Sequence, residues 1–143
     1  MSNNTKKYEF TGETIEFDGV TLRQIRALRD IPRHNIKAGC PGGWVEHENN
    51  LSHKGDCWIG EHAWVYGNAV VYEGAYVRGD AWVSGDAAIF GNANVYGHAR
   101  ITNCAWVFDN AQVFGCASAS GYSWACGDAR LYGGFSLAGR AIL

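Results

Sequence analysis

Four side chains able to hold a metal or move a proton recur at one interval: His62, Asp80, His98 and Cys116 stand eighteen residues apart. Imidazole, carboxylate and thiolate are common zinc ligands, and a histidine can serve as a general base. Eighteen is not the short ligand spacing of a zinc knuckle. Chemistry at that interval needs an architecture that lays each residue over the one eighteen further on. Even then, a linear column is a poor tetrahedral cage, and neighbouring corners of the same repeat carry Asn or Asp. The first reading of these four residues is therefore as small polar corner residues, with no metal expected. His34, His47 and His53 have no metal spacing, and no P-loop, GxGxxG, HExxH or nucleophile elbow is present.

The interval has a local cause. From Gly55 onward the chain divides into fifteen successive blocks of six, from GDCWIG and EHAWVY to a final GRAIL one residue short. Ala holds the third place at ten consecutive positions from Ala63 to Ala117, and Val or Ile holds the fifth from Ile59 to Val113. A period of six does not fit a helix; it fits a short strand of alternating faces followed by a turn. Ala and Val, two apart, point inward together. The leading Gly and the Asn, Asp or His after it supply residues that tolerate positive φ at a bend. One such unit buries nothing alone, so copies must stack.

This repeat resembles the hexapeptide repeat of left-handed parallel β-helices, in which three hexads make one triangular coil. The resemblance covers residues 55–143 and implies an all-β, single-stranded left-handed β-helix of about five coils. The stretch KAGCPGGWVEHENNLSHKGDCWI also resembles the opening of uncharacterised bacterial and phage-borne β-helix proteins. That likeness implies a host-directed role, such as inhibiting a host defence protein. Many hexapeptide-repeat proteins are acyltransferases that use a histidine base and loops interrupting the coil. Here no block is interrupted, so the enzyme question stays open and leans against catalysis, with an acyltransferase as an alternative and no cofactor expected.

Residues 1–54 read as a cap on the helix within one structural domain. In TIEFDGVTL, Asp18-Gly19 is a two-residue hairpin signal between alternating residues, which predicts two antiparallel strands. TLRQIRALRD is ambiguous: Thr21 and Gln24 mimic a capping box, while Ile25 and Ala27 alternate with arginine as in a strand. Strand is the expectation. Arg23, Arg26, Arg29 and Arg33 form either a basic stripe for an acidic partner or a solvated face of the cap.

Stacking then sorts the outward residues onto three faces. The third face carries Val70, Tyr72, Ala88, Phe90, Trp106, Phe108, Trp124, Cys126 and Ile142, without a charge. Soluble monomers rarely leave such a patch in water, so Val70, Tyr72, Phe90, Trp106, Phe108, Trp124 and Ile142 are the expected contacts of a homo-oligomer, a trimer or dimer. The first face sets Tyr96, Phe114 and Tyr132 beside Arg78 and Arg130, as suits a protein partner or, alternatively, a nucleotide or sugar ligand. The second face begins with Trp64, Tyr66 and Trp82, expected to lie under the cap, and then turns polar.

Composition narrows the classes. The 143 residues are 47% hydrophobic and carry a net charge of −2, enough for one core and too little charge asymmetry to expect nucleic acid or a membrane surface. The MSNNTKKYEF start has no apolar leader, and no membrane-length apolar run occurs, so the cytoplasm is the expected location. Five cysteines without a CxxC pair read as free thiols.

Overall fold

A computed structural model describes residues 6–143 of the chain; the leading MSNNT, part of the leader reading above, lies outside them. Two long strands, β1 (Tyr8–Phe17) and β2 (Val20–Ala27), form an antiparallel hairpin. Its turn residues Asp18 and Gly19 both take positive φ, 50° and 81°. Such a turn has the same hand as the strand twist, which explains why the Asp-Gly pair marks the hairpin. TLRQIRALRD lies largely in β2, where Leu22, Ile25 and Ala27 are buried.

The third strand, β3 (Pro41–Val45), switches the direction of pairing. It runs antiparallel to β2 and parallel to the strand Trp64–Val65. Cap and coil therefore share one sheet. Gly42 and Gly43 permit this contact: a Cβ at Gly42 would sit 2.7 Å from the Trp58 ring, and one at Gly43 would sit 2.6 Å from the Ile59 side chain. The Gly-Gly of the opening segment is thus a close-packing requirement of the first coil.

From Trp58–Ile59 to Ser136–Leu137 the described residues form two-residue strands at intervals of six. Each strand pairs in parallel with the strand eighteen residues on: Trp64 with Trp82, Trp82 with Arg100, Arg100 with Ser118. Three sheets of eight, five and four strands result, stacked as a β-solenoid of about five turns. The inward Ala and Val or Ile columns are fully buried from Ile59 to Ala119.

Corners depend on the first residue of each hexad. Glycine takes positive φ there at Gly67, Gly79, Gly85 and beyond, but so do Glu61, Glu73, Asn103 and Asp109, with φ between 56° and 59°. Each of these four accepts a hydrogen bond from the glycine N–H one coil up: Glu61 from Gly79 (2.7 Å), Glu73 from Gly91 (2.8 Å), Asn103 from Gly121 (3.2 Å) and Asp109 from Gly127 (3.0 Å). The hydrogen bond offsets the steric cost of a side chain at positive φ.

The lower end is sealed by the cap. The Tyr8 hydroxyl lies 2.7 Å from the carbonyls of both Glu48 and Leu51, and its ring stacks on His53 at 4.1 Å. The buried Lys7 ammonium donates to the Cys57 carbonyl at 2.6 Å and the Gly55 carbonyl at 3.2 Å. Burial lowers the Lys7 pKa and raises those of Cys57 and Tyr8. The arginine stripe is tied down within the protein: in the cap, Arg23 donates to the Glu46 carbonyl at 2.7 Å and Arg26 pairs with Glu9, while Arg29 reaches Asp56 of the coil at 3.8 Å and Arg33 meets Asn92 of the coil.

Candidate functional site

The uncharged third face is built on the strands Val70–Val71, Ala88–Ile89, Trp106–Val107 and Trp124–Ala125, with Ile142 bridged to Trp124. Two columns of side chains stand on it. In one, Tyr72, Phe90 and Phe108 stack face to face at successive centroid distances of 4.9 Å. In the other, Val70 and Ala88 lie low, whereas Trp106 and Trp124 rise as a stacked pair 5.2 Å apart. Trp106 is 39% exposed, Trp124 38% and Ile142 65%. The outcome is a shelf at one end and a ridge at the other. All seven residues expected as oligomer contacts fall on this surface.

The first face brings together most of its expected residues. Tyr96 stacks on Phe114 at 5.0 Å and Phe114 on Tyr132 at 5.6 Å. The Arg78 guanidinium lies over the Tyr96 ring at 4.2 Å, and the Tyr96 hydroxyl meets Gln112 at 3.3 Å. Tyr132 also lines, with Arg130, Phe135 and Leu143, a shallow hollow of about 370 Å³ at the end of this stack. Phe135 is 44% exposed and so does not fill the space that the small Ala119 leaves in the core; Leu137 pairs in register with Ala119.

The column His62, Asp80, His98 and Cys116 does follow one corner, and all four side chains are exposed. Within it only His98 and Asp80 approach each other, Nδ1 to Oδ2 at 3.9 Å. No three His, Cys, Asp or Glu side chains among the described residues converge as metal ligands. The reason is geometric, since a flat stack spreads its ligands along a line. The five cysteines are free thiols. No helix among the described residues is long and apolar enough to cross a membrane.

Three features carry little local signal. Phe17, at the hairpin end, packs edge-on against Trp64 at 4.9 Å and Trp82 at 5.4 Å, which places the aromatic end of the second face beneath the cap. Trp64 and Trp82 stack at 4.6 Å, and Arg100 covers Trp82 at 4.3 Å. The signal for Arg100 is its place eighteen residues after Trp82 in the same column. His53 is held on both nitrogens: Nδ1 accepts from the Lys7 N–H at 3.0 Å, so Nε2 carries the proton and donates to Glu48 at 2.6 Å. This histidine is a structural clamp.

The chain fits the hexapeptide-repeat β-helix superfamily. It is similar to an uncharacterized acetyltransferase, YdcK, of Escherichia coli (strain K12), with 39% identity over 62 residues. That match takes in 38% of this chain and 18% of the length of the E. coli protein. No protein-family model matches the chain.

Proposed function

We propose that this β-solenoid works by binding: its uncharged aromatic face joins two copies of the chain, and its Arg78–Tyr96–Phe114 ladder stays outward for a protein partner. The observation that carries this reading is the third face, four coils of apolar and aromatic side chains ending in two exposed tryptophans. An exposed patch of that size favours association. In this arrangement a two-fold axis lays the Trp106–Trp124 ridge of each copy over the Val70–Ala88 shelf of the other, a shelf bordered on the cap side by Glu48 and His53. Sedimentation velocity tests it. A dimer of the 15.6 kDa chain that persists at low micromolar concentration is expected, and a monomer throughout contradicts it.

A second reading follows from the similarity to a protein named as an acetyltransferase. In it, His98, with Asp80 3.9 Å away, takes a proton from an acceptor hydroxyl or amine as that group attacks the thioester carbonyl; the C–S bond breaks and the departing thiolate receives the proton from His98. The two-residue corners supply no loop to hold the acyl donor, which places this reading second. Acetyl-coenzyme A raising the melting temperature of the wild type, together with acetyl transfer lost in His98→Ala, would establish it; neither effect is expected from the binding role.

A further inference from the structure

The hairpin that caps the solenoid also borders a groove on the second face. Phe17 reaches up the sheet to Trp64 and Trp82, and the strand behind it brings Ile15 over the same rungs. Beside the hairpin lies this open groove of about 450 Å³, lined by Ile15, Trp44, Trp64, Trp82 and Arg100 and by the corner residues His62, Asp80 and His98. That volume is in the range of small-ligand sites.

Arg100 determines the chemistry. Its guanidinium is fixed twice: its Cζ lies over the Trp82 ring, 4.3 Å from the centroid, and its Nη1 lies on the carbonyls of Asp80, His98 and Ala99 at 3.0–3.2 Å. Among the described residues, Nε and Nη2 have no protein acceptor, so part of the fork stays open. An immobilised guanidinium with free donors is preorganised for a planar anion. Two facts favour carboxylate over phosphate. Arg100 is the one permanent cation lining the groove, opposed by Asp80, so a monoanion is better matched than a dianion. The corner amides that would cradle a phosphate are already used: the N–H groups of His62, Asp80 and His98 donate to the carbonyls of Gly79, Gly97 and Gly115. The indoles and Ile15 supply an apolar bed for the rest of the ligand.

We infer that this groove binds a small aromatic carboxylate, its head on Arg100 and its ring against the edge of the Trp82 indole and the Ile15 side chain. The site does not depend on self-association. The test is a titration of the full chain with phenylacetate and indole-3-acetate by ligand-observed saturation-transfer NMR, with neutral phenylacetamide, inorganic phosphate and adenosine monophosphate in parallel. Saturable binding of the carboxylates is expected, weakened at least about tenfold in both Arg100→Gln and Arg100→Lys and unchanged in Arg140→Gln, whose guanidinium lies over Tyr122 away from this groove. Arg100→Lys keeps the charge and stem but not the fork, so it separates loss of geometry from loss of charge. No saturable binding of either acid, equal binding of phenylacetamide, an unaffected Arg100→Gln, or stronger binding of either phosphate compound would each overturn the assignment.

Discussion

At the corners of the coil, one side chain determines whether a non-glycine residue can hold positive φ. Asn103 does so while accepting the Gly121 N–H at 3.2 Å. Asn103→Ala keeps the strained backbone and loses the acceptor, so a loss of about 1–2 kcal/mol is expected in urea unfolding, and a smaller one for Asn103→Gly. Glu48 supplies a pH test. Its carboxyl is held below the ordinary 4.5, chiefly by the His53 hydrogen bond and also by Lys6. A depressed folded value means that stability is present above the ordinary pKa and lost as pH falls through the folded one. The stability difference between wild type and Glu48→Gln should shrink on acidification below about pH 4.5, measured by thermal melts. A difference that grows with acid contradicts the sign. Positive φ at the corners was legible from the glycines, but its extension to Glu61 and Glu73 was not, because the stabilising N–H comes from eighteen residues away.

At the scale of elements, the hexad period made the coil strands readable, since every block repeats one in–out pattern. The hairpin was legible from Asp18-Gly19 as well. The helix alternative for TLRQIRALRD fails for a tertiary reason: Arg23, Gln24 and Arg26 pair with Val45, Trp44 and Pro41 of β3, an edge that only a strand can meet. How far the hairpin leans over the second face is absent from any local pattern, because it depends on Phe17 meeting Trp64 and Trp82. Phe17→Ala should therefore loosen the hairpin without melting the coil. About 2 kcal/mol of stability loss is expected, with faster amide exchange in Tyr8–Phe17 and unchanged exchange from Ala87 to Val113. Equal acceleration in both segments would show that the hairpin and the coil open together.

For the whole molecule, the columns that build the core also sort the surface. Because residue i lies over residue i+18, a short repeat segregates charge and aromatic character by face without any long-range signal. The third face could accordingly be listed from spacing alone, while its ridge-and-shelf relief depends on how far Trp106 and Trp124 stand above Ala88. The metal reading of His62, Asp80, His98 and Cys116 shows the limit of spacing: it places residues in a column without making them converge. Light scattering on the wild type and on Trp106→Lys with Phe108→Lys tests the interface most directly. The account predicts a dimeric wild type and a folded, monomeric variant with native circular dichroism. A wild type of 15.6 kDa, or a variant that stays dimeric, would contradict the assignment of this face to self-association.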